Sequence, residues 1–558
     1  MGVNPENVTA EDNPVVLLPE QTEDMASQVP PADDETEATA RGVARATGII
    51  AIGNISSRIL GLLREIILSG LFGASAAVDA FKIAIIVPRG LYDLLIGGHV
   101  NSALIPVLSE HASHENRRDL WELFNALLGL VIIGVLSLVI LLEILAPQIV
   151  RLVASDETAP ETLRDATNLL RITAPALFFL SLFAVVSGLL YSLKRFTWPA
   201  FGASVFNATI VILTLGLADQ IGITAAAVGW LTGSVVQVAI QFPDLRDARI
   251  RPRFRRILQH PGIRKIGLLY VPVMLSLGLD VLINRPFSYN LASGTGTGNI
   301  SIMEWATTLI QFPHGLVATA ISIAVLPTLS QQALAATAEG MRSFKDTLGL
   351  GLRLATVLIL PATVGLFVLA TPVIDLLFEH GAFTAADTVD TAIALRLYLI
   401  GLPFASLDLI LIYAFYAQQN TLTPALIGLL SLIAYIATAV LLLPVIGFFS
   451  LMVADTVKHM LHSGVSGWLL WRKVGGLNGQ RLISTAMRTI FTVALMGLIT
   501  LGALVGLESV LAADNLFIEL LLVVIPGLIG IAAFLAIGNL AQLHEIRWMF
   551  QLIRRRLG

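Results

Sequence analysis

The sequence predicts an all-α integral membrane protein of about fourteen transmembrane helices, built as two parallel six-helix repeats plus two C-terminal helices. Three observations carry this: composition, the length of the apolar segments, and an internal repeat. Of 558 residues, 56% are hydrophobic and 13% charged, against roughly 25% charged in an ordinary soluble domain. Mean hydropathy is +0.81. Apolar runs close to the ~20 residues needed to cross a bilayer recur along most of the chain. The absence of cysteine excludes disulfides, thiolate metal sites and cysteine catalysis.

In chain order, residues 1–45 are polar and acidic, broken by Pro5, Pro14, Pro19, Pro30 and Pro31. Such a segment buries too little apolar surface to order itself, so a disordered tail is expected. It lacks the basic start and apolar core of a signal peptide. Fourteen hydrophobic spans follow, near 46–72, 78–108, 123–147, 165–193, 199–218, 222–243, 265–291, 301–331, 347–377, 387–416, 422–443, 447–470, 482–507 and 514–538. They divide into an N-terminal lobe (46–244), a basic linker (245–264), a C-terminal lobe (265–472), a terminal helix pair (473–540) and a basic tail (541–558).

With the N-terminus inside, Lys and Arg in the loops fall 23 on one side and 2 on the other. Cytoplasmic loops hold the excess, so both termini are expected in the cytoplasm and the number of spans is even. The most basic run, Arg246 to Lys265, follows from the same rule and from attraction to anionic lipid, and gives no reason to invoke nucleic acid.

The sequence repeats at an offset of 225 residues, a period to seek before choosing a fold. Val87-Pro88-Arg89-Gly90-Leu91 matches Phe312-Pro313-His314-Gly315-Leu316, and Leu170-Arg171-Ile172 matches Leu395-Arg396-Leu397. Tyr191, Pro199 and Ala200 match Tyr416, Pro424 and Ala425. Six spans separate the partners, so the halves run in the same direction, one of the known ways to build an alternating-access transporter.

Charge is concentrated at the front of each half. The first two spans carry Arg58, Arg64, Glu65, Asp79, Lys82, Arg89 and Asp93; the seventh and eighth carry Asp280, Asn284, Arg285, Glu304 and Gln311. A charge at bilayer depth costs about 2.5–3.5 kcal/mol on insertion scales, so these residues should face a protein interior or a wet cavity. Arginine suits a diphosphate because its planar fork bonds two oxygens at once. Neutralising pairs within the helices, Asp79 with Lys82 and Arg89 with Asp93, are the plainer reading of the same residues. Nine scattered histidines show no metal-ligand spacing and no nucleophile–base arrangement, so nothing recommends an enzyme and no cofactor is expected.

The run Ser57-Arg58-Ile59-Leu60-Gly61-Leu62-Leu63-Arg64-Glu65, followed by Phe72-Gly73-Ala74, Asp79-Ala80-Phe81 and Pro88, resembles the start of the MurJ/MviN lipid II flippases. These belong to the multidrug/oligosaccharidyl-lipid/polysaccharide exporter superfamily. The likeness continues through Leu193 to Ala200, Asn207, Phe312 to Leu316, Leu326 to Ser330 and Thr423-Pro424. It implies a bacterial inner-membrane flippase with a cationic cavity between spans 1, 2, 7 and 8. Its substrate would be an undecaprenyl-diphosphate-linked saccharide, moved from the inner to the outer leaflet among membrane lipids and cell-wall synthesis proteins. The implied substrate-binding residues are Arg58, Arg64, Asp79 and Arg285, with Arg89 in place of a family arginine whose position holds Tyr92. Asp280, Asn284 and Glu304 are candidates for an ion site or the cavity wall, and the coupling ion, sodium or proton, stays open. The family's Ala-Asp-Arg in span 8 reads Ala306-Thr307-Thr308. A cation or drug antiporter of the same superfamily, or a non-transporting scaffold, are the rival readings.

Overall fold

The computed structural model describes residues 32–95, 104–105, 107–110, 117–246, 248, 250–254, 261–335, 337–511 and 515–547. Among them there is no β-strand. The N-terminal lobe comprises α1 (Ala32–Phe72), α2 (Ala76–Leu95), α3 (Arg117–Val153), α4 (Pro160–Thr173), α5 (Ala176–Ser192), α6 (Thr197–Ile221) and α7 (Thr224–Ala239). The C-terminal lobe comprises α8 (Pro261–Leu279), α9 (Arg285–Thr295), α10 (Asn299–Pro313), α11 (Thr319–Leu334), α12 (Ala338–Val368), α13 (Ala370–Phe378), α14 (Ala385–Ala417), α15 (Leu422–Ile446) and α16 (Ser450–Lys473). A hairpin of α17 (Leu482–Glu508) and α18 (Leu516–Leu540) packs against α12. The start of α1 at Ala32 overlaps the stretch expected as tail; residues 1–31 and the last eleven lie outside the described residues.

The 225-residue repeat extends to the backbone. Thr197–Ile221 and Leu422–Ile446 begin and end 225 residues apart, and α4–α5 together cover the equivalent of α14. Left-handed residues recur at the same offset: Gly73 and Gly298, Lys194 and Gln419, Gly222 and Gly447. The halves differ in continuity. Pro175 separates α4 from α5, whereas α14 runs unbroken through Pro403. In the second half, π turns at Asp280–Asn284 and His314–Ala318 interrupt what would otherwise be two long helices. Prolines supply the cause: Pro286 has no N–H to donate and crowds the carbonyl four residues back, inside the first turn, while Pro313 directly precedes the second.

Eleven stretches of the described residues are long and apolar enough to cross a membrane, and the longest, Leu422–Lys473, is the α15–α16 hairpin. α2 and α8–α9 fall outside that set, although α2 has 20 residues, enough for about 30 Å. The charge on α2 that made it a cavity wall in the sequence is what lowers its apolarity.

Packing is continuous across the lobes. Fully buried Trp305 of α10 stacks on Phe378 at 5.9 Å and meets Phe383 edge-on at 5.2 Å. In the first half Trp230 meets Phe206 at 5.0 Å and Phe81 at 6.4 Å, both edge-on. Without a hydrophobic drive between helices in lipid, small residues permit this approach. A Cβ on Gly53 would lie 2.2 Å from the carbonyl oxygen of Ala200, so α1 and α6 touch backbone to backbone.

The two lobes also meet through loops at one end of the bundle. The N–H of Ala382 donates to the carbonyl of Gly70 (2.8 Å), that of Ser155 to Ser293 Oγ (2.8 Å), and Asn290 Nδ2 to the carbonyl of Ala154 (2.8 Å). Gly298, at φ +86°, leaves only 2.5 Å between a Cβ and the carbonyl oxygen of Ala74. Gly298→Ala is therefore expected to lower the thermal unfolding midpoint in detergent clearly more than Gly222→Ala. The latter has open space but sits at φ +57°, ψ −142°, a backbone conformation that L side chains rarely adopt, and should cost about 1–3 kcal/mol from conformation alone. Equal losses would show that conformation, and not lobe contact, sets the requirement.

Candidate functional site

A cavity of about 350 Å³ lies between the lobes, lined by α1, α2, α5, α6, α7 and α10. Arg58, Arg64 and Arg89 open onto it together with Glu65, Asp93, Glu304 and Thr308. Four of the expected site residues, Arg58, Arg64, Arg89 and Glu304, thus share one space.

Arg64 and its neighbours form a buried network. Its guanidinium donates to Glu65 Oε1 from Nε (3.1 Å) and Nη2 (2.6 Å), and from Nη1 to Asn207 Oδ1 (3.0 Å). Lys82 Nζ, 2% exposed, donates to the other oxygen, Glu65 Oε2, at 2.7 Å. The guanidinium also lies 5.8 Å from the ring of Trp230, a cation–π contact. One carboxylate therefore serves two cations, and the group keeps an excess positive charge. Asp79 and Lys82, expected as partners at i, i+3, instead turn to different acceptors and donors.

The other two arginines are less committed. Arg58 is exposed, donates from Nη1 to the carbonyl of Gln311 (3.3 Å), and lies over Gly315, where a Cβ would be 2.5 Å from Nη2. Among the described residues Arg89 makes no ion pair, so the expected Arg89–Asp93 neutralisation is absent. Asp93 is held by Arg285 of the other lobe, Nη1 to Oδ2 at 2.9 Å.

Arg285 is shared between lobes: Nε also binds Asp280 Oδ2 at 3.0 Å, and Asn284 Nδ2 donates to Asp280 Oδ1 at 2.9 Å. Asp280 and Asn284 line a second cavity of about 210 Å³ within the C-terminal lobe. Asp408 and His462 meet on its wall at 2.5 Å, beside Lys458, which binds Asp455 at 2.5 Å. Sequence reasoning passed over this group, although Asp455, Lys458, His459 and His462 recur at helical spacing on α16. No cluster of three metal-ligating side chains occurs among the described residues.

Asp79 does not line the central cavity. It is 4% exposed and caps α10, accepting from the N–H of Gly298 (2.6 Å), the N–H of Ser301 (3.0 Å) and Ser301 Oγ (2.7 Å). A carboxylate at a helix N-terminus meets unpaired N–H groups and the positive end of the dipole. It ties the lobes together at the same end as the loop contacts.

Thr307 and Thr308, where the resembled family has Asp-Arg, both donate their hydroxyls to the carbonyl of Glu304, at 2.9 and 2.8 Å. Glu304 Oε1 in turn accepts from Tyr289 Oη at 2.6 Å. Tyr289 and Trp230 were missed in the sequence because an aromatic in an apolar span carries no signal of its own.

The buried pair makes an expectation. Lys82→Met leaves a buried carboxylate with one cation, and should cost about 3–5 kcal/mol in detergent unfolding. Adding Glu65→Gln should recover most of it; if Lys82→Met is silent, Glu65 is held by Arg64 alone.

The central cavity and its arginine cluster can be set against known proteins. The family model described as lipid II flippase MurJ matches residues 68–522. A probable lipid II flippase MurJ of Vibrio cholerae is 30% identical over 512 residues, covering 88% of this chain and 94% of that one. The lipid II flippase MurJ of Burkholderia cenocepacia is 31% identical over 420 residues, 73% of this chain and 80% of that one. A solved structure described as lipid II flippase MurJ, inward closed conformation, aligns with TM-score 0.71 at 25% identity, covering 88% of this chain and 98% of that one. A multidrug resistance MATE family transporter in its inward-facing conformation shares the fold, with TM-score 0.63 at 16% identity, covering 76% of this chain and 96% of that one. With most of the chain matched by the family model, by relatives and by a solved fold, the protein belongs to the MurJ family of lipid II flippases.

Proposed function

We propose that this chain flips lipid II, an undecaprenyl-diphosphate-linked saccharide, from the cytoplasmic to the outer leaflet of the bacterial inner membrane by alternating access. The observation that carries the reading is the polarity of the central cavity. On the N-terminal side Arg58, Arg64 and Arg89 line it with two carboxylates, both already engaged: Glu65 by Arg64 and the buried Lys82, and Asp93 by Arg285 of the other lobe. Among the described residues Glu304 is the one charged group that lines it from the C-terminal lobe. A diphosphate fits the first group, where Arg58 and Arg89 are not held by carboxylates, and is repelled by Glu304. An organic cation would sit the other way, on Glu304, which is the antiporter reading.

In the proposed orientation both termini are cytoplasmic and the chain crosses fourteen times. The α15–α16 hairpin counts as two crossings, and α2 and α8–α9 cross despite their charge. The end closed by Asp79, Gly298 and Ser301 then faces the periplasm, so the cavity is poised to receive substrate from the cytoplasmic side. Arg285, shared between Asp93 and Asp280 across the lobes, would exchange Asp93 for a phosphate oxygen, loosening the lobe contact as the substrate enters. A ligand shifts the lobes only by its difference in affinity for the two states.

Arg58→Ala and Arg89→Ala are each expected to reduce flipping at least about tenfold, the loss of roughly 1.4 kcal/mol or more of charge-assisted bonding. The measurement is surface accessibility of labelled lipid II in cells that depend on this protein. Unaltered flipping in both would remove the diphosphate clamp, and efflux of a cationic drug from proteoliposomes, lost in Glu304→Gln, would favour the antiporter.

For coupling, the second cavity favours a proton over sodium, because Lys458 and two histidines stand beside Asp280 and Asp408 and compete with a metal cation. Replacing sodium by choline is expected to leave flipping unchanged, whereas dissipating the proton gradient slows it. The reverse pair of results would assign sodium.

A further inference from the structure

A third polar cavity, of about 1040 Å³, lies away from both sites, where the linker between the lobes returns over the start of α3. The linker is strapped down by backbone bonds. The N–H of Arg251 donates to Asn125 Oδ1 (2.8 Å) and the N–H of Arg253 to the carbonyl of Asn125 (2.9 Å). The contact is so close that a Cβ on Gly129 would lie 1.8 Å from the carbonyl oxygen of Arg253. A second turn contributes from the α5–α6 connection, where Lys194 adopts φ +60° and Arg195 donates to the carbonyl of Asp244.

The strap brings four guanidinium groups, Arg118, Arg195, Arg251 and Arg253, to one concave wall beside Trp121. Among the described residues the one carboxylate on that wall, Glu122, is divided between Arg118 (3.5 Å) and Arg253 (3.4 Å). Among the described residues the Arg251 guanidinium has no ion pair. Converging like charges around so much open space are unfavourable until an anion joins them, and guanidinium forks match phosphate oxygens. The ends of the same strap are apolar and uncovered: Phe242 is 61% and Phe254 56% exposed. A soluble phosphate compound has no use for that rim, whereas acyl chains do, and Trp121 is of the type that gathers at the membrane–water interface.

We propose that this cavity binds the phosphodiester headgroup of an anionic membrane phospholipid, with its acyl chains running past Phe242 and Phe254. The site rests on the chain lying in a membrane and is independent of which substrate the central cavity carries. Seated there, the lipid would fix the linker that joins the two lobes.

Native mass spectrometry of the full chain released from detergent tests this, with phosphatidylglycerol, phosphatidylcholine and inorganic phosphate as probes. Phosphatidylglycerol is expected to bind at least about tenfold more tightly than phosphatidylcholine. In the double variant Arg118→Gln/Arg251→Gln that preference should vanish, while Arg342→Gln/Arg481→Gln, which removes the same charge from exposed positions elsewhere, should keep it. Equal loss in both double variants would overturn the site in favour of a diffuse field. Equal binding of the two lipids would overturn it as well. Displacement of the lipid by millimolar inorganic phosphate would make a soluble phosphate the ligand. Should the first double variant elute as aggregate, Arg118→Gln alone, whose side chain is 90% exposed, is read by the same criteria.

Discussion

The structure depends on one buried carboxylate. Glu65, 3% exposed on α1, is reached by Arg64 from its own helix and by Lys82 from α2. Without it, two cations would face each other in a medium where unpaired charge is prohibitive. With it, α1 and α2 can carry the basic residues a diphosphate needs and still pack. Asn207 of α6 and Trp230 of α7 complete the enclosure of Arg64, so four helices of the first lobe are positioned by one small polar group. This leaves the guanidinium oriented before any ligand arrives, the condition under which binding loses least to ordering.

The second lobe handles the same physical problem by a different device. Its charges sit where the helix is broken: Asp280 and Asn284 lie in a π turn made by Pro286, and Arg285 follows immediately. A π turn widens the helix and frees a carbonyl, allowing side chains that would fan out along a regular helix to face one neighbour. Asp280, Asn284 and Arg285 could therefore be grouped in the sequence, but their geometry could not. Arg285 reaches Asp93 across 192 residues, a pairing that no local spacing encodes.

What was legible in the sequence follows the same division. The repeat, the helical class and the charged front of each half depend on composition and fixed offsets, and the matching left-handed pairs show how deeply the offset is written. The choice of partner was not legible. The i, i+3 and i, i+4 spacings proposed Asp79 with Lys82 and Arg89 with Asp93, yet each acid found a donor on another helix. In an interhelical interface the nearest group in sequence competes with donors of fixed geometry across the gap, and for Asp79 the free N–H groups at the start of α10 are better placed. The α16 cluster was legible as spacing and lacked only a reason to be singled out.

The threonines at 307 and 308 show how such a cavity tolerates a lost charge. Both hydroxyls are satisfied by the carbonyl of Glu304 on their own helix, so they leave no orphaned polar group and bring no demand for a counter-ion. An arginine at either place would need a carboxylate, and the nearby one, Glu304, already accepts from Tyr289. With the α10 wall thus deprived of cations, the positive character of the cavity falls to α1 and α2, where Arg89 stands one turn from Tyr92 without a carboxylate. The asymmetry between the walls is then a consequence of two local choices, Thr308 bonding its own backbone and Arg89 left unpaired, and it requires no change in the surrounding fold.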